Sequence, residues 1–156
     1  MSRYLSLLLF LLPLVSHGGD RDQPIHVEAD RVEIDDKRGL SVYTGHVKVT
    51  QGRIVLEAAK VTLYHPHRRL QRVVAEGNPA RYRQPLGKGE LRAEAKRIDY
   101  RMKEQKLVLT GGARLWQQGN TFASELIEYD LARDIVHARG GKPGKGRVEV
   151  TIQPDR

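Results

Sequence analysis

The residue types that could carry out catalysis are few in this chain. Cysteine is absent, which excludes a thiol nucleophile, a disulfide framework and a cysteine metal site. Beyond residue 18 the serines are Ser41 and Ser124, and neither belongs to a G-x-S-x-G nucleophile motif. His65 and His67 have the spacing of paired metal ligands, but no third ligand accompanies them. The sequence therefore predicts no catalysis, no metal site and no cofactor.

Positive charge is the stronger chemical signal. Lys and Arg number 27 against 19 Asp and Glu, giving a net charge of +8. Such a chain favours an anionic partner: nucleic acid, anionic lipid or a phosphorylated glycolipid. The aromatic residues are too dispersed to form a stacking platform, so nucleic-acid binding is not expected. Candidates for contact with an anionic head group are Arg68, Arg69, Arg72, Arg81 and Arg83, and the alternative is that they only form a solvated outer face.

The first 18 residues have the pattern of a secretory signal peptide. Arg3 precedes an apolar run of 11 residues from Leu5 to Val15, well short of the roughly 20 that a spanning helix needs. Ser16-His17-Gly18 then fits the small-x-small rule for cleavage after Gly18. We expect an exported, periplasmic protein, in which a lipid is a more common partner than nucleic acid. An uncleaved membrane anchor is the alternative.

Strands are expected to position these residues. Apolar residues alternate with polar ones, as at Val47 and Val49 or Leu107 and Leu109, and turn signals separate the runs. The longest helical candidate, 91–106, fails because Lys and Arg occur on every face. The sequence predicts an all-β fold.

A unit of about 30 residues recurs four times. It begins with a small residue and two alternating apolar positions, continues through a charged turn, and closes on a strand followed by x-Gly. The four openings are Ala29–Ile34, Ala58–Leu63, Ala95–Tyr100 and Ser124–Tyr129, and the four glycines are Gly45, Gly77, Gly111 and Gly140. Regular spacing of this kind predicts stacked units, each of about three strands, forming an elongated two-sheet roll.

The alternation also predicts which side chains face the inside of the roll. Apolar positions there either only form the core or line a slot for an apolar ligand. The inward positions expected from alternation are Ile25, Val27, Ile34, Val49, Leu56, Leu63, Tyr82, Tyr100, Leu109, Phe122 and Tyr129.

Three long motifs resemble the LptA, or OstA-like, family. The opening segment 22–30, DQPIHVEAD, is similar to the first element of that family. YTGHVKVTQG at 43–52 and LVLTGGARL at 107–115 resemble its two TGNV-type elements. The resemblance covers roughly residues 22–140.

The resemblance implies a fold and a role. The fold is an incompletely closed β-jelly roll, here over 19–141, followed at 142–156 by a basic Gly/Pro turn, a final strand and a short polar tail. The role is to bind lipopolysaccharide between the two sheets and carry it from the inner to the outer membrane for outer-membrane assembly. The lipid contacts that it implies are Ile25, Val27, Tyr82, Tyr100 and Met102.

Partners are expected at the edges of the roll. An incompletely closed roll leaves unpaired edge strands, here predicted at Pro24–Glu28 and between Ile135 and Ile152. The resemblance implies an LptC-like inner-membrane partner and an LptD-like outer-membrane partner, with head-to-tail self-association as a side effect. Two alternatives stay open: a membrane-anchored LptC-like roll, and a structural envelope roll that binds no lipid.

Overall fold

A computed structural model describes residues 19–87, 89–141 and 146–154, and most of them are in antiparallel strands. The strands are β1 (Ile25–Glu28), β2 (Arg31–Asp35), β3 (Leu40–Gln51), β4 (Ile54–Tyr64), β5 (Arg72–Pro85), β6 (Glu90–Arg101), β7 (Lys106–Gln117), β8 (Asn120–Asp130), β9 (Ile135–Arg139) and β10 (Glu149–Thr151). The remaining elements are two 3₁₀ turns, Asp20–Asp22 and Pro66–Arg68. In these ranges no helix is long and apolar enough to span a membrane. The predicted signal peptide, 1–18, lies outside the described residues.

All ten strands form one antiparallel sheet that does not close on itself. Strands β3 to β8 pair consecutively, each with the next along the chain. At one end β1 and β2 pair with opposite halves of β3, and at the other end β10 and β9 pair with opposite halves of β8. This arrangement confirms the predicted all-β, incompletely closed fold and leaves an edge at each end.

Every long strand passes through a bend near its middle. The register shifts at one point in each of the five consecutive pairings from β3–β4 to β7–β8, for example between Thr44 and Val47. Glycines occupy the bends of β3, β5 and β7: Gly45 has φ +83° and Gly111 has φ +86°, where a side chain is strained, and Gly77 lies in the bend of β5. The bends divide the sheet into leaf A, which contains β1 and β10, and leaf B, which contains β2 and β9.

The bends correct two details of the sequence prediction. The two expected sheets are one continuous sheet, since β3, β5 and β7 run through Gly45, Gly77 and Gly111 instead of ending there. Each repeat therefore supplies two strands, most of them long and bent, rather than three separate ones. A bulge lets the backbone turn while the hydrogen-bonded ladder resumes on the far side, so no strand has to terminate.

The repeat aligns its apolar positions in space. Its four anchors, Val32, Val61, Ile98 and Ile127, fall in one row across leaf B, linked through Tyr43, Ala75 and Leu109 on the intervening strands. Val61, Leu109 and Ile127 are fully buried between the leaves. The predicted stacking of units therefore forms the core.

We predict that Gly111→Ala lowers the free energy of unfolding by about 1–3 kcal/mol. An added Cβ would lie 2.9 Å from Lys96 Cβ and would carry φ +86°. Urea denaturation measures the effect. The control is Gly87→Ala, whose Cβ meets nothing within 4 Å. Equal stability of the two variants would contradict the role assigned to the bend.

Candidate functional site

An apolar cavity lies between the two leaves. The cavity is open at its mouth, and the empty space within it and at that opening is about 630 Å³. Leaf A and its turns contribute Ile25, Val49, Gln51, Ile54, Leu56 and Tyr82, leaf B and its loops contribute Leu63, Leu70, Val73, Ile98, Tyr100 and Met102, and Arg21 precedes the first strand. Because nearly every lining group is hydrocarbon or aromatic, the cavity suits an apolar chain.

Cross-strand register places these residues on one face. In leaf A, Val27, Val49, Leu56 and Tyr82 are successive partners on β1, β3, β4 and β5. The row continues through Ala93, Leu115 and Phe122 to Val150 on β10. Alternation therefore produces a continuous apolar surface from one edge strand to the other.

A shallower hollow extends the cavity toward the edge formed by β1 and β2. It is lined by Ile25, Val27, Asp36, Tyr43, Leu63, His65, Arg68 and Leu70. The cavity and the hollow share Ile25, Leu63 and Leu70. The apolar surface thus reaches from the interior to the open edge of the sheet.

The cavity contains two tyrosine hydroxyls in different states. Tyr82 is 6% exposed and its hydroxyl donates a 2.7 Å hydrogen bond to Gln84 Oε1. Burial raises the pKa of Tyr82 to about 12, although the positive charge of Arg21 opposes the increase. The buried hydroxyl of Tyr100, in contrast, has no hydrogen-bond partner among the described residues.

The sequence-predicted inward residues divide into three groups. Those that line the cavity are Ile25, Val49, Leu56, Leu63, Tyr82, Tyr100 and Met102, while Val27 lines the adjoining hollow. Leu109, Phe122 and Tyr129 lie in or against the core but do not line the cavity. Ile34 shares the inward face by its pairing with Ser41, yet it is 60% exposed because β2 is an edge strand.

The predicted rim arginines do not form one cluster. Arg81 and Arg83 project from the outer face of β5, where they donate to Glu94 at 3.2 Å and Glu90 at 2.6 Å. Arg72 Nε donates to Asp99 Oδ1 at 2.8 Å. Carboxylates thus neutralise these three arginines.

The other two predicted rim residues are in the loop before β5. Arg68 borders the hollow at the edge, and Arg69 borders a separate depression, with Arg72, Arg101, Lys103 and Glu104. Arg68 thus borders the hollow, and Arg69 borders a basic depression that shares Leu70 and Met102 with the cavity.

Sequence reasoning missed six residues that line the cavity: Arg21, Gln51, Ile54, Leu70, Val73 and Ile98. Ile54, Val73 and Ile98 share the apolar alternation that identified the others. Leu70 and Arg21 lie outside the strands, so alternation carried no signal for them.

Other polar groups form structural contacts. His65, one of the two spaced histidines, lies 2.7 Å by its Nε2 from Ser41 Oγ. Tyr129 donates to Asp134 Oδ1 at 2.6 Å, and burial together with this contact raises the pKa of Tyr129. The described part of the chain contains no group of three side chains suited to a metal ion.

Comparison with known proteins identifies the family. Residues 26–135 match the model of the LptA/LptD N-terminal domain lipopolysaccharide transport proteins. This chain belongs to that family. Lipopolysaccharide export system protein LptH of Pseudomonas aeruginosa is 39% identical over 88% of this chain and 83% of its own. Lipopolysaccharide export system protein LptA of Escherichia coli K12 is 32% identical over 97% of this chain and 82% of its own.

A solved member of the family has the same fold. The crystal structure of LptH, described as the LptA-homologous periplasmic component of the lipopolysaccharide transport device of Pseudomonas aeruginosa, superimposes with a TM-score of 0.78. The two sequences are 38% identical, and the match covers 88% of this chain and all of that one. The family resemblance inferred from the three motifs is confirmed.

We predict that Tyr82 makes stability fall at high pH. The folded-state pKa of about 12 exceeds the ordinary value of 10, so the unfolded chain loses this proton first. The resulting stabilisation is present below pH 10 and is lost as the pH rises through about 12. Urea unfolding of the native chain and of Tyr82→Phe across this range measures it. Parallel pH profiles would contradict the prediction.

Proposed function

We propose that this protein is a periplasmic carrier of lipopolysaccharide, exported by a cleaved signal peptide, that moves its cargo from the inner to the outer membrane without catalysing a reaction. The observation that carries this proposal is the apolar cavity between the leaves. It occurs in a family whose relatives are named as lipopolysaccharide export proteins. Acyl chains would occupy the cavity, in contact with the residues that line it.

Hydrophobic transfer supplies the energy for this binding. Each buried methylene is worth about 0.8 kcal/mol, so a chain of a dozen carbons gains on the order of 10 kcal/mol when it leaves water. The lining has the chemistry to hold such a chain, because Leu56, Leu63, Val73 and Ile98 present only hydrocarbon. The adjoining hollow at the β1 and β2 edge, which has both apolar and charged lining residues, would give the lipid a route in or out.

Edge-strand pairing would join the carrier to its partners. Exposed apolar side chains occur on or beside the edge strands: Ile25, Val32 and Ile34 at one end, and Ile135, Val148, Val150 and Ile152 at the other. Along each leaf the strands alternate in direction, so β1 is antiparallel to β10, and β2 to β9. A second roll can therefore continue both leaves in antiparallel pairing.

An LptC-like inner-membrane partner and an LptD-like outer-membrane partner would bind at these two ends, with head-to-tail self-association by the same geometry. The rolls would then align their cavities into one apolar path.

A structural roll that binds no lipid is the second candidate. Such a roll needs a closed interior, because an empty apolar cavity forfeits packing contacts. The cavity and its continuation to the edge favour the carrier.

We predict that a photo-crosslinking residue at position 82 captures lipid A in irradiated cells and that one at position 81 does not. Tyr82 points into the cavity, whereas Arg81 lies on the outer face beside Glu94. Immunoblotting for lipid A adducts on the folded, exported protein measures both. Absence of an adduct at 82, or equal adducts at both positions, would overturn the carrier proposal.

We predict that Ile34→Asp weakens self-association, because it places a charge at an exposed apolar edge position. Sedimentation velocity across a range of protein concentrations measures the change. The matched control is Val55→Asp on the outer face of the central strand β4, which should associate like the native protein. If the two variants behave alike, the edge is not the contact surface.

A further inference from the structure

We propose that Arg21 and the hydroxyl of Tyr100 form a polar anchor for an anionic oxygen group of the bound lipid. This inference rests on the proposed carrier function and adds the residues that recognise the negative charge of the head group. Both residues line the cavity, and Arg21 belongs to the segment before β1.

The segment that carries Arg21 is fixed to the β3–β4 turn. Arg53 donates to Asp20 from its backbone N–H at 3.0 Å, from Nε at 3.2 Å and from Nη2 at 3.0 Å. These hydrogen bonds lower the pKa of Asp20. Gln51 Nε2 donates to the carbonyl of Arg21 at 2.8 Å. Gly52 permits the approach, since a Cβ there would lie 2.6 Å from Asp20 Oδ1.

Arg21 therefore occupies a built position rather than a free surface. Its guanidinium carbon lies 5.0 Å from the centre of the Tyr100 ring, and Nη2 is 3.5 Å from Gln84 Oε1. Stacking on an aromatic ring orients the plane of a guanidinium while leaving its edge donors available.

Arg21 also differs electrostatically from the outer-face arginines. It is the one charged side chain among the described residues that line the cavity. Within the described residues no carboxylate lies within salt-bridge distance of it, whereas Arg72, Arg81 and Arg83 each pair with one. A cation beside an apolar cavity, and not neutralised by the protein, is suited to an anion attached to an apolar ligand.

The hydroxyl of Tyr100 supplies a second, independent indication of a ligand. A buried hydroxyl without a partner is destabilising, because it has lost its hydrogen bond to water and gained none. Tyr100 lines the same cavity, and its hydroxyl has no partner in the described part of the chain. An oxygen on the ligand would accept this hydrogen bond beside the guanidinium.

The ligand chemistry is an amphiphile with an anionic oxygen group close to its acyl chains. In lipopolysaccharide, that group is either a phosphate on the acylated disaccharide or the carboxylate of an adjoining acidic sugar. An arginine fork matches both in bidentate geometry. A panel of lipids separates these two sources.

The test measures dissociation constants for native protein, Arg21→Ala, Arg21→Lys, Tyr100→Phe and the matched control Arg81→Ala. The lipids are bisphosphorylated lipid A, fully dephosphorylated lipid A with the same acyl chains, and dephosphorylated lipid A that carries acidic sugars. Circular dichroism and urea midpoints establish that each variant folds.

We expect native protein to bind the anionic forms about tenfold more tightly than the neutral form, as one charge-assisted contact predicts. Arg21→Ala should reduce this ratio to below about twofold, and Arg21→Lys should restore part of it. Tyr100→Phe should weaken binding of the anionic forms a fewfold, and Arg81→Ala should bind all three lipids as tightly as native protein does. Preference for the phosphate or for the carboxylate form identifies the source of the anion.

Two outcomes would overturn the anchor: native protein that binds all three lipids equally, or Arg21→Ala that retains the native ratio. Either one leaves the carrier proposal standing, because acyl burial still provides affinity. Native protein that binds none of the three lipids would overturn the carrier proposal itself.

Discussion

The backbone ladder of β3 to β8 has to turn near the middle of every strand, and the rest of the structure depends on this bend. A flat sheet of these strands would expose one apolar face to water. The bulges rotate leaf A toward leaf B, so that Leu115 on one leaf and Leu109 on the other are both buried in a shared core. Because the bends recur at glycines along the repeat, the leaves stay aligned across the whole sheet. The cavity exists between them because the sheet is folded over but not closed.

The interior is not packed uniformly along the sheet. Toward β7 and β8, Leu107, Leu109, Leu115 and Ile127 leave no exposed surface. Toward β1 and β2 the same alternation yields the cavity and the hollow at the edge. The core at one end can therefore stabilise the fold while the other end leaves apolar surface available to a ligand, a division that a single closed core would not allow.

The outer face of the sheet carries many of the chain's charged side chains. Across leaf A one register row reads Glu28, Lys48, Glu57, Arg81, Glu94 and Arg114, so charges of opposite sign face each other on neighbouring strands. Exposed pairs of this kind add little stability, but a face covered with charge resists pairing with other apolar surfaces. Exposed large apolar side chains remain near the two ends of the sheet, among the described residues. Association is thereby directed to the edges.

Much of this architecture could be predicted from the sequence, because alternation and turn chemistry are local. They predicted the strands, the inward faces of Tyr82 and Tyr100, and the stacked repeat, while three long motifs indicated the family.

Only the tertiary structure decided the features that depend on residues far apart in the sequence. Whether a strand ends at Gly45 or bends there depends on its neighbours in the sheet. Whether Leu109 packs in the core or lines a cavity depends on the spacing of the leaves. Arg81 and Arg83 are neutralised by Glu94 and Glu90 on the next strand. Arg21 reaches Gln84 and Tyr100 only because the fold brings its segment against strands 60 or more residues away. The local sequence pattern predicts which face of the sheet a side chain occupies. The packing of the folded chain determines the electrostatic partners of that side chain.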